Sequence, residues 1–378
     1  MKSKKIILLP FLIASILFLF DKIFYLEVVK KYTIPWKKIE ILFYESKTDL
    51  LEVLKFNQTT HKKNNESIAI VLGSSRSGEF AYKDIQKVFP NTVTYNFSAP
   101  LAGPLFHYYW LEKVTEEIPN LKFVILEADP VMFSKSSLKY TINYSLDFPF
   151  VWKYSNFLPQ RFIDPLEADG KGMNWDEVEN WLNKNLFFSY KYPPDINSIR
   201  DNSKEAVWVQ NGNVTMVKGF DYKTNFKKTV YLANRTEYGA IPNQIFHQGD
   251  PSFIERDAIN MANIYFGNKF SPSTTQVIFF KKILNLLSTK KIPVIIYWPI
   301  VAQPLRDQME NRGLVDEYKN FVFSNLEKVS KENKEFKYYF VDPQDSKKLK
   351  CRAFVDSVHL SGACYPELFS LFRDSYMN

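Results

Sequence analysis

The sequence has few of the residues that usually hold metal ions, with two cysteines and four histidines among 378 residues. None of them has the spacing of a zinc or iron–sulfur site, so we predict neither a metal nor another cofactor. A strong net charge is also missing. The balance is +8, and the lysines are scattered in pairs instead of forming one basic stripe. This pattern disfavours nucleic acid as a partner and favours an anionic lipid or glycan surface.

Two well-known motifs are incomplete around a short polar segment that follows an apolar run. Gly73 and Gly78 have the spacing of a P-loop, but Glu79 follows where phosphate binding needs a lysine. The nucleophile elbow of α/β-hydrolases needs a glycine two positions after its serine, and Ser77 stands two positions after Ser75. The segment is therefore neither a nucleotide-binding loop nor an α/β-hydrolase elbow.

The N-terminus combines three lysines within residues 1–5 with an uncharged, apolar run over residues 6–20. As a helix this run is roughly 22 Å long, and its extension to Leu26 approaches the thickness of a bilayer. A cleaved signal peptide is the rival, but no small-x-small cleavage motif or lipobox cysteine follows Phe20. We therefore predict a transmembrane signal anchor over residues 6–26 in the lipid bilayer of the cytoplasmic membrane. Residues 1–5 would be cytoplasmic and the body of the protein periplasmic.

The rest of the chain has the composition of a globular protein, with 46% hydrophobic and 24% charged residues. Short apolar runs alternate with helical segments, which predicts an α/β fold with a three-layer parallel sheet flanked by helices. We expect a stem over 27–66 and the α/β domain over 67–130 and 272–378. A large irregular insertion over 131–271 would form a lid or one wall of the site. The predicted strands are 68–72, 92–97, 122–128, 292–298 and 336–341, and the predicted helices include 36–56 and 304–333.

Three residues at opposite ends of the α/β domain have the chemistry of a serine hydrolase. Ser75 follows the first strand, where its hydroxyl would project over the edge of the sheet and its own N–H could receive an oxyanion. Asp356 and His359 are three positions apart, so the carboxylate can accept the Nδ1 proton and leave Nε2 facing a serine. A simpler alternative stays open for the first segment, in which Ser74 and Ser77 only cap the following helix.

The order of three segments resembles the SGNH/GDSL hydrolase superfamily. The segments are Gly73–Ser77, Asn96–Gly103 and Asp356–Leu360. Within the superfamily the chain is most similar to the membrane-tethered envelope branch, which includes alginate O-acetyltransferase proteins and the D-alanyl-teichoic-acid transfer protein. The resemblance covers about residues 68–130 and 273–378 and leaves the stem and the insertion outside it.

The resemblance implies a role for each matching residue. Ser75 would be the nucleophile, His359 the general base and Asp356 the residue that orients it. The N–H groups of Ser75 and Gly103 would form the oxyanion hole. The family's third block usually offers an asparagine side chain to that hole, whereas this chain has Asp129. An ionised Asp129 would repel an oxyanion, so it points elsewhere, or binds substrate, or the hole has only two backbone donors.

Further side chains near these segments have two interpretations each. Arg76 either anchors an anionic glycan or is a solvated or helix-facing arginine. Trp298 follows the fourth strand and is either an aromatic platform for a sugar or part of the core. Cys351 and Cys364 bracket the Asp356 turn, and they either close a small disulfide loop or stay as two buried thiols.

The resulting expectation is an extracytoplasmic serine acyltransferase or esterase that works through an acyl-serine intermediate. Its substrate would be the O-acyl groups, with acetyl favoured, of an envelope polysaccharide or glycolipid. The resemblance also implies a polytopic membrane acyltransferase as a partner that supplies acyl groups. The competing interpretation is a membrane-anchored scaffold or glycan-binding protein that kept the sheet and lost efficient chemistry.

Overall fold

The fold is that of a computed structural model. The start of the helix predicted over 36–56 in the stem lies outside the described residues. The structure describes residues 2–29, 41–156, 165–168, 170–193, 204–208, 214–218, 222–241, 248–266, 270–344 and 349–377.

The predicted five-stranded parallel sheet is confirmed. Each strand of the sheet is a short run made mainly of β-branched, aromatic and other apolar residues, and the first strand is buried from its second residue to its end. The strands in chain order are β1 (Ser67–Leu72), β2 (Thr92–Asn96), β3 (Val124–Glu127), β4 (Lys204–Trp208), β5 (Val214–Lys218), β6 (Val294–Tyr297) and β7 (Tyr338–Val341). The sheet has the order β2–β1–β3–β6–β7 and all its neighbours are parallel, while β4 and β5 pair as a separate antiparallel ribbon.

This strand order creates a crevice at one place on the sheet. After β1 the chain adds β2 on one side and then places β3 on the other side of β1. The loops after β1 and β3 therefore diverge at the carboxyl edge of the sheet, and open α/β sheets bind ligands at such a switch point. The loop after β1 contains Ser75, and the loop after β3 contains Asp129.

Helices cover both faces of the sheet. They are α1 (Lys2–Asp21), α2 (Ile41–Glu45), α3 (Lys47–Lys63), α4 (Tyr82–Val88), α5 (Pro104–Glu117), α6 (Ser136–Tyr144), α7 (Phe148–Tyr154), α8 (Trp175–Leu186), α9 (Phe188–Lys191), α10 (Tyr222–Thr236), α11 (Pro251–Met261), α12 (Thr274–Thr289), α13 (Gln303–Asn311), α14 (Leu314–Glu332) and α15 (Tyr365–Met377). Ile68 and Ile70 face a core formed with α5, α12 and α14, whereas Ala69 and Val71 face a core formed with α4 and α15. The result is three layers, as predicted.

The long helix predicted over 304–333 is two helices. The chain is helical in α13 and again in α14, and Gly313 lies between them with φ of +71°. This left-handed conformation suits glycine and cannot continue a right-handed helix. The amphipathic pattern on both sides of Gly313 hid this break.

The insertion over 131–271 is more regular than predicted, because its described residues form helices α6–α11 and the β4–β5 ribbon. Polar caps begin three of these helices. The carboxylate of Asp147 accepts the N–H of Phe150, that of Asp250 accepts the N–H of Phe253, and Asn174 forms a reciprocal capping box. These caps mark helix starts in the sequence, but the many aromatic residues obscured the helical spacing of the apolar residues that follow them.

The N-terminal helix ends earlier than predicted. Its described residues Leu9–Phe20 are exposed, and α1 stops at Asp21, whose carboxylate accepts the backbone N–H groups of Phe188 and Ser189 at 2.6 and 2.8 Å. A short 3-10 helix follows at Lys22–Tyr25 instead of the continuation to Leu26. In the part of the chain that the structure describes, no helix has the length and apolar character needed to cross a membrane. The predicted transmembrane helix over 6–26 therefore has no support from the fold.

Candidate active site

The loop after β1 holds Ser75 at the carboxyl edge of the sheet. Leu72 at the end of β1 pairs with Leu126 of β3, so Gly73 and Glu127 come next on adjacent strands. A side chain at position 73 would clash with the Ser77 hydroxyl and approach the Glu127 carboxylate to 2.6 Å, and glycine is needed there for this reason. The chain then turns, with the N–H of Gly78 donating to the carbonyl of Ser74 at 3.1 Å. Ser75 is left half-buried beside the crevice.

Ser75, His359 and Asp356 form one hydrogen-bonded chain. The Oγ of Ser75 lies 2.9 Å from Nε2 of His359. On the other side of the ring, Nδ1 lies 2.8 Å from Oδ2 of Asp356 and 3.0 Å from its Oδ1. An ionised carboxylate only accepts hydrogen bonds, so the imidazole proton belongs on Nδ1 and Nε2 is free to accept from the serine. The structure thus brings together the three residues assigned from the sequence.

The turn that carries the imidazole is ordered by Asp356 itself. Its Oδ1 accepts the backbone N–H groups of Val358 at 2.9 Å and of His359 at 2.7 Å. This is the reason for the spacing of three residues, since one carboxylate both closes the turn and contacts the ring. Burial raises the pKa of Asp356, but the charge of His359 and these donors lower it more, so the net pKa lies below its ordinary value.

The imidazole is made more basic by the same contact. Burial lowers the pKa of His359, but the charge and hydrogen bond of Asp356 raise it, and the net pKa lies above the ordinary 6.5. The side chain of His359 is one third exposed, at 33%, so a substrate can approach it. A basic, accessible imidazole within reach of a hydroxyl can act as a general base.

A disulfide and a small antiparallel bridge enclose the turn. Cys351 and Cys364 are bonded, with their Cα atoms 5.3 Å apart. Between them Phe354 pairs with Leu360, and the N–H of Val355 donates to the carbonyl of His359 at 2.9 Å. The covalent loop therefore limits how far the imidazole can move from its position over the sheet.

A buried carboxylate lies directly beneath the serine loop. Glu127 is 1% exposed and accepts the N–H and Oγ of Ser74 at 2.8 and 2.6 Å, together with the hydroxyl of Ser77. Arg76 adds a charged hydrogen bond at 2.9 Å. Burial raises the pKa of Glu127, but Arg76 and the hydroxyl donors lower it below its ordinary value. Sequence analysis did not single out Glu127, although a carboxylate ending an apolar strand indicated that a buried cation lay nearby.

Arg76 and Asp129 have internal partners instead of the predicted substrate contacts. The guanidinium of Arg76 bridges two carboxylates, with its second hydrogen bond to Asp129 at 2.8 Å. Only 9% of the Arg76 side chain and none of Asp129 are exposed. The other oxygen of Asp129 accepts the N–H of Val131 at 2.8 Å. Asp129 is thus paired with Arg76, a cation that it shares with Glu127, and this pairing explains why an acidic residue is tolerated so close to the serine loop.

A family model described as "Protein of unknown function (DUF1574)" matches residues 1–376 of the chain. The chain belongs to the DUF1574 family. The match extends from the start of α1 into α15, so the serine loop, the insertion and the Asp356 turn all lie within the DUF1574 match. No curated protein matches the chain.

Trp298 of this DUF1574 chain is a core residue and not an exposed sugar platform. It is 1% exposed, and its ring packs against Tyr318 with centroids 4.8 Å apart. The guanidinium of Arg306 lies 4.8 Å from the same ring. The residue follows β6, and these partners on α13 and α14 close over it. The core interpretation of Trp298 therefore replaces the predicted substrate contact.

Gly103 is explained by packing at the start of α5. A side chain there would clash with the backbone carbonyl oxygen of Met132 and come within 2.6 Å of Nε2 of Gln276 and 2.8 Å of Oγ of Ser137, so only glycine fits. Its N–H lies at the N-cap position of α5. The oxyanion role of the Gly103 and Ser75 N–H groups stays a prediction of the family resemblance.

Proposed function

We propose that the chain is a serine acyltransferase or esterase that forms an acyl-enzyme on Ser75. The observation that carries the proposal is the 2.9 Å contact between Oγ of Ser75 and Nε2 of His359, with Asp356 on the opposite ring nitrogen. A hydroxyl is a weak nucleophile at neutral pH, and an adjacent oriented base is the usual way to activate it. The half-buried position of the serine beside the sheet crevice leaves space for a substrate.

The residues define a two-step reaction. His359 takes the proton of Ser75 as Oγ bonds to the ester carbonyl carbon, and the carbonyl electrons move to oxygen. When the tetrahedral species collapses, the bond to the alcohol oxygen breaks, and His359 returns the proton to the departing alcohol. Water or an acceptor hydroxyl then gives its proton to His359 as its oxygen bonds to the carbonyl carbon of the acyl-serine. The bond between that carbon and Oγ breaks, and His359 returns the proton to Oγ of Ser75. Asp356 stabilises the charged imidazolium in both steps.

We also propose that the chain is a member of the SGNH/GDSL superfamily. The nucleophile follows the first strand, and the base and its orienter are three residues apart near the C-terminus, as the resemblance to the SGNH/GDSL superfamily implies. A parallel sheet flanked by helices supports that likeness. The buried ion cluster of Arg76, Glu127 and Asp129 has the further role of holding the serine loop.

The substrate and the compartment follow from less direct observations. The disulfide between Cys351 and Cys364 supports an oxidising compartment outside the cytoplasm. O-acetyl groups of an envelope polysaccharide or glycolipid are the substrate that we infer from the family resemblance. The same resemblance supports a polytopic membrane acyltransferase as the source of acyl groups for a transfer reaction.

Acetate release and its pH dependence test the proposal. The full chain should release acetate from 4-nitrophenyl acetate and from O-acetylated polysaccharide. The base must be neutral to act, and Asp356 raises the pKa of His359 above 6.5. The rate should therefore increase with pH through a midpoint above 6.5, and Asp356→Asn should move that midpoint down. Folded protein with no acetate release from either ester, or with a rate independent of pH across this range, would contradict the proposal.

A further inference from the structure

The insertion contacts the turn that carries the proposed base. Asp257 on α11 accepts two hydrogen bonds from Ser357 through Oδ2, from the backbone N–H at 3.0 Å and from Oγ at 2.5 Å. Ser357 lies between Asp356 and His359 in the sequence and is fully buried. Its only polar side-chain atom and its N–H are thus both directed at a carboxylate from another part of the chain.

Two further residues of the insertion, Gly249 and Ile254, contact the segment that leads into the Asp356 turn. The N–H of Gly249 donates to the carbonyl of Phe354 at 2.6 Å. A side chain at position 249 would clash with the backbone carbonyl oxygen of Val355, so the close approach requires glycine. Ile254 of α11 belongs to the same buried core as Phe354. α11 is therefore packed against the segment between Phe354 and Leu360 that carries the catalytic turn.

The remaining side of the turn is held by the loop after β6. The N–H of Ala302 donates to the carbonyl of Ser357 at 3.0 Å. With Asp257 on its N–H and Ala302 on its carbonyl, Ser357 is fixed at both of its backbone groups. The adjacent peptides carry the N–H groups that Asp356 accepts. A shift at Ser357 would therefore disturb the contact between Asp356 and the imidazole.

We propose that Asp257 is a positioning residue that the insertion supplies to the catalytic turn. This inference rests on the proposed function. Asp257 holds Ser357 so that Asp356 and His359 keep their alignment with Ser75. The docking of α11 is then required for efficient turnover. The insertion is then part of the active-site machinery and more than a cover for it. Hydrogen-bonding partners one step removed from metal ligands typically contribute roughly 10–100-fold to affinity or activity, and we expect an effect of similar size for Asp257.

The test compares Asp257→Ala and Asp257→Asn with a control, Glu255→Gln. Glu255 is an exposed carboxylate on the same helix, so the control also removes one negative charge from α11. Asp257→Ala should lower kcat for 4-nitrophenyl acetate by roughly 10–100-fold with little change in KM. Asp257→Asn removes the same charge but keeps an oxygen acceptor, so it should recover most of the activity. Glu255→Gln should be unchanged. Adding Ser357→Ala to Asp257→Ala should cost little more, because both changes break one interaction.

A second readout separates this inference from the proposed function. The pKa of His359 followed by NMR titration of the histidine C–H signals does not depend on turnover. It should fall in Asp257→Ala, because the imidazole loses its alignment with Asp356, and it should stay closer to the wild-type value in Asp257→Asn. An inactive wild type with this pattern would sink the enzyme assignment and keep the positioning role. Equal kcat and equal His359 pKa in Asp257→Ala and Glu255→Gln would overturn the inference.

Discussion

Ser75→Ala is expected to lower ester hydrolysis by roughly ten-thousand-fold or more. Ser75 supplies the attacking oxygen in the proposed first step, and its hydroxyl supplies the proton that His359 accepts. Alanine has neither. The fold should survive, since the hydroxyl is half-exposed and its described hydrogen bond is to His359. The measurement is kcat/KM for 4-nitrophenyl acetate together with a thermal unfolding midpoint for the same sample.

The matched control for this result is Ser324→Ala. Ser324 is exposed on α14, and among the described residues its hydroxyl donates to the carbonyl of Phe321 in the same helix. Its loss should leave kcat/KM unchanged. If Ser75→Ala and Ser324→Ala retain the same activity in folded protein, Ser75 is not the nucleophile.

Arg76→Met is expected to destabilise the protein by about 3–5 kcal/mol. Arg76 lies between Glu127 and Asp129, and its removal leaves two buried carboxylates without their shared cation. Methionine fills similar space but offers no donor. Urea unfolding of the wild type and the variant, monitored by tryptophan fluorescence, measures the change.

Lys291→Met provides the comparison for an exposed ion pair. Lys291 pairs with Glu335 at 2.7 Å, but more than 60% of each side chain is exposed. Solvent screens such a pair, so its loss should be much smaller. Combining Arg76→Met with Asp129→Asn should recover part of the stability, because one of the unpaired charges is then removed. Similar losses in Arg76→Met and Lys291→Met would mean that the buried cluster does not hold the serine loop.

The sheet was predictable because its strands are short runs of β-branched, aromatic and other apolar residues that alternate with helical segments. β1 and β3 are the clearest cases, since they are buried on both faces and need no alternation. The break between α13 and α14 at Gly313 could not be predicted, because a single left-handed residue does not interrupt the apolar pattern around it. The helices of the insertion were missed for a different reason. Their start signals at Asp147, Asn174 and Asp250 are local, while their apolar faces are mixed with exposed aromatic residues.

The candidate site was only partly accessible from the sequence. The types and spacing of Ser75, Asp356 and His359 suggested their chemistry, but 284 positions separate the serine from the histidine. Only the folded sheet brings them together. The role of Glu127 depends on strand register, which aligns it with Gly73, and that of Asp257 depends on how the insertion docks. Neither contact is encoded in local spacing.

The most direct test of the central claim is the site of covalent labelling by a fluorophosphonate. Folded full-length protein is treated with the reagent, digested and analysed by tandem mass spectrometry. The account predicts one phosphonyl adduct, on the Oγ of Ser75, formed faster as the pH rises through the pKa of His359. Absence of an adduct in folded protein, or an adduct on a different serine, would contradict it.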